Sequence, residues 1–198
     1  RYSSTNLFPN SSFNASNYWV DVVFNPAASG TAPSVTTHPS SQSVCAGTSV
    51  SFSWAAGGSP APTVQWQEST NGTTWTNISG ATAATYNVNA TTALNNRQYR
   101  AVWTNSAGSA NSNAATLTVK AIPAAPGVSV ANNCGNSVLT ATGFSGSLLW
   151  STGDTTTSIT VTTAGTYTVT QTVNGCTSAP GSGVVQPIAS SVPAPVVN

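Results

Sequence analysis

The sequence predicts an all-β protein made of tandem antiparallel sandwiches, and three observations carry that prediction. Apolar and polar residues alternate at period two along most of the chain, while helical periodicity is nearly absent. A unit recurs in which a cysteine precedes a β-branched strand, followed by a tryptophan, a Thr-rich hairpin and a tyrosine-bearing strand. It runs from Cys45 through Trp66 to Tyr99, and again from Cys134 through Trp150 to Tyr167. Joints rich in Pro, Ala, Gly and Ser separate the pieces, and such joints act as semi-rigid spacers. A repeated unit of this kind builds arrays, stalks and surface coats more often than active sites.

The first piece, residues 1–26, holds the run Asn17–Phe24. As a strand it places Trp19 and Val23 on one face and Tyr18, Val20, Val22 and Phe24 on the other. A strand that is apolar on both faces needs sheet neighbours and cover on both sides. The run resembles the closing strands of a domain of unknown function, which implies an incomplete or strand-exchanged β domain. Insertion into a neighbouring subunit by β-augmentation would satisfy it.

The second piece, residues 33–120, supplies strand patterns at 50–54, 64–67 and 85–89, and another leading through Tyr99 to Ala101. Together they resemble a bacterial immunoglobulin-like domain. The resemblance implies that Trp66 is the core tryptophan and that Tyr99 forms the tyrosine corner of that fold. It puts Trp54 and Ala101 where antibody domains carry their intersheet disulfide, a large residue facing a small one in the core.

The third piece, residues 121–187, follows the same logic in a shorter form, with strands at 137–142, 147–150, 158–162 and 166–172 and with Trp150 and Tyr167 in its core. The run from Leu149 to Val161, then Ala164–Val169, looks like repeat modules of large secreted Bacteroidetes surface proteins. That resemblance implies export, often by the type IX route, attachment at the cell surface, and O-glycosylation at Thr155 within Asp154-Thr155-Thr156. Residues 188–198 read as linker. Both ends are expected to continue into a longer chain, since no leader opens at Arg1 and the last residues are Pro-rich.

Three cysteines without a CxxC pair fit an oxidising compartment better than a metal site. Cys134 lies just before strand B of the third piece and Cys176 in the turn after strand F. These strands face each other in the immunoglobulin-like class, so a Cys134–Cys176 disulfide is expected. Overlaying the second piece puts Cys45 at the Cys134 position and its counterpart near Ala107, so Cys45 is expected as an unpaired, inert thiol, with an intermolecular disulfide or a catalytic thiol as the alternative, the latter disfavoured because His38 has no acidic residue nearby to orient it.

Charge excludes several functions. Charged residues make up 4% of the chain, against about 25% in ordinary soluble proteins. The net charge of +1 gives no footprint for nucleic acid, and no apolar run approaches the roughly 20 residues that span a bilayer. The carboxylates Asp21, Glu68 and Asp154 fall one per piece, so paired-carboxylate catalysis has no candidate. His38 stands alone, and no cluster offers three metal ligands. No enzyme activity and no cofactor are expected.

Exposed aromatics remain as a binding signal. Trp75, in an Asn/Thr-rich hairpin, could stack on a sugar ring, although covering the sandwich edge is the plainer role. Parity with Tyr99 turns Trp103 toward the core. Two functions stay open: a structural or adhesive segment that forms a stalk, adhesin body or filament subunit, or a carbohydrate-binding accessory region of a secreted polysaccharide-degrading enzyme. A homo-oligomer or filament, and an extracellular glycan or surface, are the partners these imply.

Overall fold

A computed structural model describes residues 30–188. The expected donor strand, Tyr18, Trp19, Val20, Val22, Val23 and Phe24, and the tail 189–198 lie outside the described residues. The described chain is nearly all β, and it forms two sandwiches in series.

The first module opens with β1 (Thr31–Thr37), β2 (Gln42–Cys45), β3 (Ser49–Ser53), β4 (Ala55–Ser59) and β5 (Thr63–Ser69). It continues with β6 (Thr76–Asn77), β7 (Thr85–Asn89), β8 (Arg97–Asn105), β9 (Gly108–Asn111) and β10 (Ala115–Lys120). One layer pairs β1 with β4 and β3 with β7; the other runs β2-β10-β8-β5-β6, with β9 also on β8. The opening strand divides between layers: β1 is antiparallel to β4, and after a buried Pro39 the chain crosses so that β2 lies parallel to β10.

Period-two alternation fixes which side chains meet between the layers. Phe52, Trp66, Tyr99, Ala101, Trp103 and Leu117 are all essentially inaccessible. Trp66 lies opposite Ala101 across β5 and β8, and its indole N–H donates to Ala83 O at 3.0 Å. On β3 the fully buried residue is Phe52, whose ring centroid lies 5.0 Å from that of Tyr99. Trp54, expected opposite Ala101, stands at the break between β3 and β4. It is half-buried there and meets Trp103 edge-on at 4.5 Å.

The second module contains β11 (Gly127–Asn133), β12 (Asn136–Thr142), β13 (Ser147–Trp150), β14 (Ser158–Val161), β15 (Gly165–Val173), β16 (Cys176–Thr177) and β17 (Gly181–Val185). Its layers are β11-β12-β14 and a β15-centred sheet flanked by β13 on one side and by β16 and β17 on the other. Leu139, Leu148, Trp150, Ile159, Val169 and Val185 fill the space between them. Trp150 repeats the bonding of Trp66. Its backbone N–H donates to Asp154 O, and its indole donates two residues further on to Thr156 O at 2.8 Å.

The tyrosines reverse the expected assignment. Tyr99 is fully buried, and its hydroxyl finds no partner among the described residues. The corner bond belongs to Tyr167, half-buried, whose hydroxyl donates to Thr163 O four residues upstream at 3.1 Å. That geometry needs a tyrosine close to the turn entering its strand. Each tyrosine is the third residue of its strand, but Tyr167 lies four residues before Gln171, which is bonded to Ser178, whereas Tyr99 lies only two before the matching Ala101, bonded to Ser112, and so stands deeper in the sandwich.

Candidate functional site

The Cys134–Cys176 pairing is not made. Cys176 is bonded instead to Cys45, with Cα atoms 5.7 Å apart and 131 residues between them in sequence. Strand direction explains why. A Cβ on Gly181 would meet Pro126 O, and one on Gly183 would meet Val128 and Val130, so β17 runs alongside β11 in the same sense. Since β12 is antiparallel to β11 and β15 is antiparallel to β17, β12 and β15 share one direction. The start of one and the end of the other therefore occupy opposite poles. Seven residues of β11 separate those poles by about 20 Å, whereas a disulfide needs Cα atoms within about 7 Å. Cys134 instead sits at the C-terminal pole, exposed, where it forms a parallel bridge with Ile188. Ile188, expected as linker, thus belongs to the module.

Cys45 is not an unpaired thiol because of where β2 ends. It is in register with Lys120, the last residue of β10, at the pole from which the chain leaves the first module. Cys176 follows the turn Asn174-Gly175 at the pole where the chain reaches the second. Both turn residues have positive φ, 52° and 82°, which gives the tight two-residue hairpin that Asn-Gly favours. Lys120 Nζ donates to Asn174 O at 3.1 Å beside the disulfide. Gln171, almost fully buried, donates through Nε2 to Ala124 O in the linker at 2.7 Å. Its Oε1 accepts from the N–H groups of Ser145 and Gly146. The junction is thus closed by one covalent bond, a lysine and a buried amide.

A second feature lies on the outer face of the first module. Arg100, opposite Gln67, donates from Nε to Gln67 Oε1 at 2.8 Å, and Gln67 Nε2 donates to Asn77 Oδ1 at 2.8 Å. The Arg100 guanidinium lies 4.2 Å from the centroid of the half-buried Trp75 ring, so one ring face is already occupied. Burial lowers the Arg100 pKa. Arg97 pairs with Glu68 at 3.1 Å nearby. The two carboxylates among the described residues, Glu68 and Asp154, sit in different modules, and no group of three or more His, Cys, Asp or Glu gathers among those residues. His38 is exposed just beyond β1, its Nδ1 accepting from Asn113 N–H.

A groove of about 530 Å³ opens on the flank of the second module, between β13 and the segment leading into β14. Phe144, Leu148 and Leu149 line one side, Thr155 and Thr157 the other. Thr155, the candidate glycosylation site, is exposed at this rim. Nothing in the sequence periodicity announces the groove; the signal is the shortness of the chain between Trp150 and Ser158.

Residues 34–121 match the family model of a domain of unknown function, DUF8696. Endoglucanase C of Cellulomonas fimi is 44% identical over 90 residues, which is 46% of this chain and 8% of that protein. The chain thus spans less than a tenth of that relative. Among solved structures, the N-terminal four Ig domains of Dscam1 align over 79% of this chain and 46% of that one, with a TM-score of 0.45 and 17% identity. The tandem Ig repeats of Dlar align over 79% and 98%, with a TM-score of 0.38 and 16% identity. The tandem immunoglobulin-like architecture rests on the strand order described above.

Proposed function

We propose that this chain is a non-catalytic structural segment of a secreted or cell-surface protein, in which two immunoglobulin-like modules are stapled in series. The Cys45–Cys176 disulfide carries this reading, because it joins module to module rather than sheet to sheet. A bond in that position contributes little to either core and instead restricts movement about the linker. A disulfide also suits an oxidising compartment, and so does the resemblance of Leu149–Val169 to modules of exported Bacteroidetes proteins. The test compares the oxidised protein with the Cys45→Ser/Cys176→Ser double variant. Both should keep the same circular dichroism, while the variant shows a broader distance distribution in small-angle scattering and faster cleavage within residues 121–126. Identical scattering and cleavage would mean that the disulfide does not set the junction.

A second reading is favoured by the Trp75, Arg100, Gln67 and Asn77 face together with the relationship to part of an endoglucanase. In it, the first module serves as a carbohydrate-binding accessory of a larger enzyme. An aromatic ring beside a row of amides suits a sugar, provided Arg100 yields or the other ring face is used. Retardation in gels containing soluble glucan, lost in Trp75→Ala, supports it; equal mobility with and without glucan removes it.

A further inference from the structure

We propose that the flank groove of the second module is the acceptor for the Tyr18–Phe24 strand of a second copy of this chain, joining copies head to tail. This deepens the structural reading above and rests on it.

The groove lies along a stretch of the β13 edge that no strand among the described residues pairs. In the first module the chain from Gln67 to Ala84 folds back over the edge of β5: β6 pairs with Gln67 and Glu68, Ile78 N–H donates to Trp66 O, and Trp66 N–H donates to Ala81 O. In the second module only Ser151–Thr157 connects β13 to β14, too short to turn out, run back as a strand and return. The edge of β13 is thus paired at Trp150, much as that of β5 is at Trp66, and no described strand pairs it at Leu148. Trp150 turns its N–H and C=O away from β15, toward Asp154 and Gly153. By alternation, Leu148 also turns its N–H and C=O away from β15, into the groove. Leu149 leaves 55% of its surface exposed beside it.

An occupant must bring backbone groups for the edge and apolar side chains for the groove, without a charge that would be buried unpaired. The run Tyr18-Trp-Val-Asp-Val-Val-Phe24 has this composition, and its face bearing Tyr18, Val20, Val22 and Phe24 carries no charge.

Reach decides between a strand from the same chain and one from another. Gly30 lies beside Ser59 and Ala107, at the pole of the first module farthest from the second. From Phe24 to Gly30 the chain can extend at most about 22 Å. The eight steps from Asn105 to Arg97 along β8 already cover about 26 Å, and the groove lies beyond them on the next module. The chain's own strand cannot fill its own groove, so the donor is a second copy. A donor at one end and an acceptor at the other make a heterologous contact, which propagates rather than closing as a symmetric pair.

Light scattering and sedimentation of the full chain across a wide concentration range test this, with two full-length variants. Leu149→Arg disables the acceptor at an already exposed position; Val20→Asp/Val22→Asp disables the donor. The wild-type mass should rise with concentration, and each variant should shift assembly to at least about tenfold higher concentration, since about 1.4 kcal/mol suffices for that factor. Mixing the two variants should restore one contact only, giving a 1:1 pair and nothing larger. Three outcomes overturn the proposal: a monomeric wild type, assembly indifferent to Leu149→Arg, or no pair on mixing. Assembly indifferent to Leu149→Arg but lost with the Val20/Val22 changes would mean that the strands pair with each other. Failure here leaves the stapled-module reading standing, because the scattering and cleavage of the cysteine variant test that separately.

Discussion

Tyr99 is the residue whose chemistry is most at odds with its surroundings. Its hydroxyl is buried beside Phe52 and Tyr86 with no hydrogen-bond partner among the described residues, and burial, reinforced by Tyr86 and Glu68, raises its pKa to about 12. An unsatisfied buried hydroxyl costs free energy that the same ring without it does not. Tyr99→Phe should therefore leave stability at neutral pH unchanged, or raise it by up to about 1 kcal/mol in urea unfolding. The pH dependence has a definite sign. The folded state holds the neutral phenol more tightly than the unfolded chain, whose tyrosines titrate near 10. The stabilisation is thus complete below about pH 10 and is lost as pH rises from there through about 12. Denaturation midpoints at alkaline pH should fall less steeply in Tyr99→Phe. The remaining slope would come from Tyr86, whose pKa is raised by burial and then by Glu68.

At the scale of elements, the second module depends on one polar residue in a core-like position. Gln171 in β15 ties the linker at Ala124 to the loop at Ser145 and Gly146, while its backbone N–H donates to Ser178 Oγ. The first module has the same serine device on β8, where Ala101 N–H donates to Ser112 Oγ. The amide clamp is peculiar to the second. Gln171→Ala would strand the Ala124 carbonyl and two loop N–H groups, each costing about 1–3 kcal/mol where water cannot replace the bond. We expect a loss of about 2–4 kcal/mol confined to the second module. Calorimetry should show one transition displaced and the other unmoved; a uniform shift of both would mean that the modules unfold as one unit.

At the scale of the whole molecule, the staple makes the two modules answerable to each other. A cross-link spanning more than a hundred residues limits the unfolded chain, by about 4–5 kcal/mol in the chain-entropy model. That effect appears in full only when everything between the cysteines unfolds, which includes most of both cores. In the Cys45→Ser/Cys176→Ser variant, unfolding should therefore begin at lower denaturant and separate more clearly into two steps. A transition of the same midpoint and shape would show that each module unfolds without feeling the bond.

Alternation, the repeated tryptophans and the Pro-rich joints made the all-β tandem class readable from the residues alone, because period-two patterning is a local property that each strand carries by itself. Trp103 was legible for the same reason, by parity with Tyr99, and Trp66, Ala101 and Trp150 through the resemblance to immunoglobulin-like modules. What alternation leaves undetermined is the end of a sandwich to which each strand terminus is brought. Cys45, Cys134 and Cys176 all look like residues flanking strands B and F, but only the shared direction of β12 and β15 places Cys134 and Cys176 at opposite poles and sends Cys176 across the junction to Cys45. The groove beside Leu149 was hidden for a related reason, since it is formed between β13 and the segment leading into β14, and alternation does not say which segment lies at a strand's edge. Sequence determined the faces of the strands; the tertiary structure alone decided their ends and neighbours, because poles and edges are set by contacts between residues far apart in the chain.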